Sequence, residues 1–502
     1  MKLKDNSYSQ YTAFIDICNK IFDIFIESEV ALSPLLSIGK PIPEILNKKQ
    51  KIIKKVTKEK YYSHILTFIP RILINLLILI THHFYHLYYW QQFSFKKFAK
   101  TGIIFLSHYT GQELTSKEDL YFGMMGEQIN ENKRPNLILH INHGRRNPPY
   151  LNLKTDPQKI NCEKYILPKT VNTKLLFQLY KINFHNFKEI MNYLLTKGEN
   201  DKGRKIFMLE LAVQQLSLES ISQMILAKNI ELLIEQTDVN KIILTYEGHS
   251  YETYVANKLK SKFPRIDIYV YQFAPVVPAQ NSFFRNFYKL HGNVKILVTG
   301  SKFKNDIISR SKFNFSSITV MGSRKYGTKE PAFKVKKDVT ILFAAEGSRE
   351  SLIEFINLAS YSARQNPATT FIVRAHPASS NYSINLFKKV AFQTRNLFLS
   401  CESLKNDLQR ATHCVYQSSS VGLEGLRCGV IPIHYAKNSN SDLDPINNED
   451  LPHLQLADIL DFNKKISEIY NNYVEITEQQ FRDYKEVFKL YFEPLKLNLL
   501  NH

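Results

Sequence analysis

Phe371-Ile372-Val373-Arg374-Ala375-His376-Pro377 is an apolar run that stops on a cation, an imidazole and a proline. Downstream, Val415-Tyr416-Gln417-Ser418-Ser419-Ser420-Val421-Gly422-Leu423-Glu424 repeats the pattern: apolar strand, three hydroxyls, start of a helix. Short apolar runs bounded by turn signals read as strands buried on both faces. Pro377 cannot continue a ladder, so the first strand must end there. Open α/β sheets bind ligands at the carboxyl ends of their strands. Hydroxyls at a helix N-terminus favour an anion. Two such ends in one half of the chain point to a phosphate-bearing ligand, most readily a nucleotide.

Outward from these runs the same text continues. Strands are predicted near 102–107, 136–141, 241–246, 266–271 and 294–300, with helical periodicity over 205–236. A second alternation follows: strand 339–345, helix 350–363, strand 371–375, strand 397–400, helix 404–411, strand 413–417, helix 421–428 and strand 429–433. Strands alternating with helices imply parallel sheets. The expected organisation is a basic helical extension over 1–100, one Rossmann-like domain over 101–325 and another over 326–456. Helices over 457–502 are expected to pack back across both. Residues 322–337 read as a linker between the halves.

The chain of 502 residues is too long for one core. Its 44% hydrophobic and 22% charged content is that of a folded protein, which excludes a disordered one. A net charge of +20 suits anionic partners or, equally, a bias toward solvated lysine. No basic motif interleaved with aromatics is present, so nucleic acid is not an expected partner. Five cysteines with no CxxC pair argue against structural zinc and fit reduced thiols. No GxxxxGK[ST] motif is present, which argues against a P-loop NTPase. The first residues lack the apolar stretch of a signal peptide. Asp442-Leu443-Asp444 has the spacing of a metal–nucleotide pair but reads as solvated loop.

Lysines 48, 49, 51, 54, 55, 58 and 60 precede a mostly apolar, aromatic segment over 65–90. A spanning helix wants about 20 clean apolar residues. Arg71, Asn75, His82, His83 and His86 interrupt this one. It reads as a helix buried on the body, an interfacial helix touching anionic lipid through 48–90, or, less readily, a span.

The ordered set Tyr246-Glu247-Gly248, Glu346-Gly347-Ser348, Arg374-Ala375-His376-Pro377 and Ser418-Ser419-Ser420, each at a strand end, resembles GT-B glycosyltransferases over residues 101–450. It is most similar to the bacterial surface-carbohydrate branch that uses CMP-activated sialic acid or Kdo. Tyr246 stands where that branch usually carries a second acidic residue. The resemblance implies two Rossmann-like domains facing a cleft and a nucleotide-sugar donor, a CMP-linked ulosonic acid preferred. It implies a surface glycan or glycolipid acceptor, no resident cofactor and a metal-independent reaction at the inner face of the cell membrane. Glu424 in the helix after the serines would hold the ribose.

The residues carry roles of their own. Charge grows on the leaving phosphate during glycosyl transfer and must be offset by donors and cations. His376 can donate to that phosphate or protonate it. Arg374 shares its face of a regular strand. Pro377 and the hydroxyls of Ser418, Ser419 and Ser420 border the same end. Glu346, Gly347 and Ser348 would border the nucleotide, Gly347 allowing close backbone approach. Glu247 is the expected base for the acceptor hydroxyl, with His249 and Glu252 as competitors. His108 and His140 read as packed core histidines. A polyol-phosphate transferase of the teichoic-acid polymerase type fits the same pattern, a sugar-nucleotide epimerase less well, and a non-catalytic basic scaffold or nucleic-acid-binding protein is the rival outside enzymes.

Overall fold

The computed structural model describes residues 17–21, 23–25, 61–89, 98–109, 118–129, 134–142, 162–197, 201–277, 283, 294–310, 317–327, 331–336, 338–347, 349–377, 385, 387, 394–436, 443–446, 449, 451, 453–456, 459–471 and 476–500. Among the described residues, thirteen strands form two sheets. The first contains β1 (Ile103–His108), β2 (Asn136–Ile141), β3 (Cys162–Ile166), β4 (Lys241–Thr245), β5 (Asp267–Gln272), β6 (Lys295–Val298) and β7 (Ile318–Val320). The second contains β8 (Thr340–Ala344), β9 (Thr370–Arg374), β10 (Leu397–Leu399), β11 (His413–Tyr416), β12 (Ile431–Tyr435) and β13 (Leu454–Leu456). Every pairing is parallel. β1, β2, β4 and β8 are buried along their whole length, because helices cover both faces of such a sheet.

The strand orders are β3-β2-β1-β4-β5-β6-β7 and β10-β9-β8-β11-β12-β13. Each half therefore winds out one way from its first strand and then the other way. The reversal lies between β1 and β4 in one sheet and between β8 and β11 in the other. Connections on opposite sides of a reversal leave a crevice at the carboxyl ends of the two strands. Glu247, Glu346 and Ser418 all follow strands that flank these reversals. This is the two-domain α/β architecture expected from the sequence.

The Tyr61–Tyr89 helix lies on the Lys202–Gln215 helix. Both guanidinium nitrogens of Arg71 reach the carboxylate of buried Glu210, at 2.7 and 2.6 Å. Asn75 donates to the Val213 carbonyl at 3.1 Å. Two of the polar interruptions of the apolar segment are thus its anchors to the body. Ile69, Leu73, Leu77, Ile80 and Phe84 stay exposed on its outer face. Among the described residues no helix is long and apolar enough to cross a membrane. The lysine cluster over 48–60 and Trp90 lie outside the described residues.

After β13 and the Ile459–Asn471 helix, the Glu478–Tyr491 helix returns to the first domain. Tyr484, Phe488 and Tyr491 share one buried cluster with Ile104 and Ile242 of the first sheet and with Tyr416, Leu423 and Leu426 of the second domain. The Lys241 ammonium donates to the Leu500 carbonyl at 2.7 Å. Gly322 has φ +86°, and a Cβ there would sit 2.1 Å from the Pro494 carbonyl oxygen. Gly322→Ala is expected to lower stability by about 3 kcal/mol or more, from positive φ plus overpacking. Denaturant unfolding checks this, and a loss below about 0.5 kcal/mol would show that the C-terminal segment does not press on β7.

Candidate functional site between the two sheets

A cleft of about 390 Å³ opens between the halves. Tyr121, Phe273, Ser323, Arg324 and Lys325 line it from the first half. Ala345, Arg374, His376, Pro377, Ser419, Ser420 and Glu424 line it from the second. Six of the residues singled out in the sequence therefore share one cavity wall.

On the second half, His376 lies just beyond β9 against Gly347. A Cβ at Gly347 would come 3.4 Å from His376 Nδ1, so the glycine lets the ring sit close to that turn. Burial lowers the His376 pKa, opposed by the charges of Glu346 and Glu247. That lowering favours the neutral ring, which offers an N–H rather than a full charge. Arg374 lines the same wall, but its Nη1 donates to Asp407 Oδ2 at 2.7 Å and to the Glu402 carbonyl at 2.7 Å. Asp407 is fully buried and also takes the Ser400 hydroxyl, at 2.5 Å. The guanidinium is thus held by its own domain and presents its remaining edge to the cleft.

The serine run divides into three roles. Ser418 is buried, and both its N–H, at 2.8 Å, and its hydroxyl go to Glu346 Oε1. Glu346 is buried as well, and its Oε2 has no hydrogen-bond partner among the described residues. These two residues brace β8 against β11 and do not line the cleft. Ser419 lines it, with its Oγ accepting the Val421 N–H at 3.3 Å. Ser420 makes no side-chain cap. Its hydroxyl donates to Glu424 Oε1 at 2.9 Å and accepts from Lys325. The expected Ser-capped anion site is corrected here: the Val421–Leu426 helix has only six residues, and Lys325, 2.9 Å from Glu424, occupies its first turn. Ser348 lies outside the described residues.

Lys325 belongs to the segment read as a linker. That reading is corrected for its described part, because Arg324–Tyr326 is a 3-10 turn from which Lys325 reaches Ser420 and Glu424 of the other half. Lys336 Nζ donates to the carbonyls of Ala411 and Cys428, at 2.6 and 2.9 Å. Arg324 lines the cleft, and its Nε has no hydrogen-bond partner among the described residues. The Asp442–Asp444 reading also changes: Asp444 is buried, taking the Tyr416 hydroxyl at 2.7 Å and the Ile446 N–H at 3.0 Å, while Asp442 lies outside the described residues.

On the first half, β4 ends at Glu247-Gly248-His249. Gly248 has φ +91°, which turns the chain sharply into the Ser250–Tyr254 helix. Glu252 fixes this turn. Its Oε2 accepts the backbone N–H groups of Glu247, Gly248 and His249 at 2.9, 2.7 and 2.8 Å. Tyr251 donates its hydroxyl to the other oxygen at 3.3 Å. Glu252 is wholly buried, so it positions the loop and does not meet an acceptor. Glu247 is partly exposed, with Oε2 3.5 Å from His249 Nε2. His108, from the end of β1, stands beside them with its ring 5.8 Å from that of His249. Burial pushes the His108 pKa down to about 4, with the neighbouring His249 adding to the effect. His140 is buried deeper, with Nδ1 3.9 Å from Asp119.

No protein-family model and no curated protein matches the sequence. Solved structures with a similar course include a UDP-GlcNAc 2-epimerase from Neisseria meningitidis, at 8% identity, TM-score 0.41, covering 80% of this chain and 98% of that one. A glycosyltransferase from Rickettsia africae matches at 11% identity, TM-score 0.39, over 80% and 95% of the two chains. S. aureus TarM, solved with UDP, matches at 13% identity, TM-score 0.33, over 55% of this chain and 57% of that one. These likenesses concern the outline of the fold alone. The two doubly wound parallel sheets and the cleft between them define the class as GT-B-like, and the site must carry the functional argument.

Burial raises the Glu252 pKa to about 7, against the lowering influence of His249 and the backbone N–H groups. A carboxyl whose folded pKa is raised binds more protons folded than unfolded. Its contribution to stability is full below about pH 4.5 and is lost as pH rises toward 7. Glu252→Gln is therefore expected to gain stability relative to the parent between pH 5 and pH 7.5, by about 2 kcal/mol. Urea melts across that range check it; a difference that does not change with pH would contradict the assignment.

Proposed function

We propose that the chain is a nucleotide-sugar-dependent glycosyltransferase. The observation that carries this is a phosphate-competent cleft wall, His376 with Arg324, Ser419, Ser420 and Glu424, at the carboxyl ends of the two sheets, with the Glu247–His249 pair in the turn after β4 beyond its lining. Each group sits at the carboxyl end of its sheet, and the charge of Glu247 is felt at His376. Transfer needs both: a pair to take the acceptor's proton and a wall to stabilise the phosphate that departs.

In this reading the nucleotide lies against the second half, with Glu424 and the Ser419–Ser420 turn beside it. His376 donates its N–H to the leaving phosphate, and the growing negative charge raises the imidazole's basicity as the bond breaks. Arg324 supplies the cation that Arg374 and Lys325, already paired to carboxylates, supply only in part. Glu247 accepts the acceptor's proton, with His249 able to share it. The sequence resemblance favours a CMP-linked ulosonic acid as donor, a surface glycan or glycolipid as acceptor, and a reaction without metal. The bare apolar face of the Tyr61–Tyr89 helix supports peripheral contact with a membrane surface beside the acceptor.

Calorimetry with CMP, CDP, UDP, GDP and ADP tests the donor side. One nucleotide is expected to bind the parent, and His376→Ala and Arg324→Ala to weaken it about tenfold or more each, the worth of a charge-assisted hydrogen bond. No binding by any nucleotide, or binding indifferent to both substitutions, would remove the proposal. With the donor known, Glu247→Gln is expected to cut kcat by a factor of about 100 to 10,000 while leaving nucleotide affinity within about twofold. An unchanged kcat would remove Glu247 as base.

A further inference from the structure

Beside the base lies a second potential use of the same wall. His108, Glu247 and His249 each offer one ligand atom, and the three atoms lie within 4.8 Å of one another. Ligands of a first-row cation sit about 2.0–2.2 Å from it, hence about 3–3.5 Å apart, and the observed 3.5 Å between Glu247 Oε2 and His249 Nε2 meets that spacing. His108 is held in position from within the first half. Its Nε2 lies 3.2 Å from Thr245 Oγ1, whose own proton goes to the Leu106 carbonyl at 3.2 Å. Nε2 also stands 3.9 Å from Glu252 Oε1, so Thr245 and Glu252 hold the ring in place. The loop bearing the other two ligands is fixed by the three N–H groups bound to Glu252, the outer support that metal ligands require. Glu247 and His249 remain 27% and 39% exposed, so an ion can enter from solvent.

We infer that His108, Glu247 and His249 form a binding site for one divalent transition-metal cation of the zinc or cobalt class. Two imidazoles and one carboxylate with an open position suit such ions and not magnesium or calcium, which prefer all-oxygen shells. The inference rests on the reading of this wall as the acceptor side of the cleft. A carboxylate that ligates a cation cannot take a proton, so the metal-loaded protein is expected to lose transfer activity and a chelator to restore it.

Isothermal titration of the full chain with Zn2+, and visible spectra of its Co2+ form, test the site directly. One ion per chain is expected, with affinity at least about tenfold weaker in His249→Gln and in His108→Gln and unchanged in His376→Ala. His249→Gln keeps the test open if the buried His108 substitution fails to fold. No stoichiometric binding, or binding indifferent to His249→Gln, overturns the inference. Because the titration uses neither donor nor acceptor, its failure leaves nucleotide binding at His376 untouched, and failure of nucleotide binding leaves the metal result standing.

Discussion

A buried parallel strand that stops inside a protein leaves backbone N–H groups at its carboxyl end, and leaving one unpaired away from water costs about as much as a lost hydrogen bond. That constraint organises the centre of this molecule. In the first sheet Glu252 gathers three N–H groups in the turn after β4. In the second, Glu346 takes the Ser418 N–H after β11 from its own place after β8. Both carboxylates are buried, and each spends one oxygen on the backbone. Around them, Ser419 and Ser420 line the cleft, and Glu247 and His249 stand together in the turn after β4.

The same division appears in the cations. Arg374 and Lys325 are each tied to a carboxylate, Asp407 or Glu424, and so keep their geometry at the cost of part of their charge. Arg324 lines the cleft with its Nε lacking a hydrogen-bond partner among the described residues. Two domains joined by one continuous apolar cluster hold these walls at a set distance. The returning Glu478–Tyr491 helix, pressed against Gly300, and Glu493–Pro494 just after it, pressed against Gly322, belong to that cluster's frame.

Much of this was legible in the sequence. The apolar strand runs could be read because parallel strands buried on both faces need no alternation to mislead. His376, Glu247 and the serines could be read because each breaks such a run at its carboxyl end. What could not be read depended on partners distant in sequence. Ser418 and Ser420 are neighbours with the same chemistry, yet one braces Glu346 and the other meets Lys325. Glu252 looked like a rival base because a Glu near a strand end looks the same whether it faces solvent or backbone. Arg71 and Asn75 read as flaws in an apolar helix because their partners, Glu210 and the Val213 carbonyl, lie well over a hundred residues away. Arg324 and Lys325 were hidden in a Gly- and Lys-containing stretch whose composition matches a linker.

The central claim is that this cleft breaks the bond between a sugar and a nucleotide phosphate. The most direct measurement is mass spectrometry of a nucleotide-sugar panel, CMP-, UDP-, GDP- and ADP-linked, incubated with the purified protein and glycan acceptors. The account predicts that donors of one nucleotide class are consumed, with release of the nucleotide and gain of the sugar's mass by an acceptor. A panel left intact, under conditions where a nucleotide does bind the cleft, would contradict it.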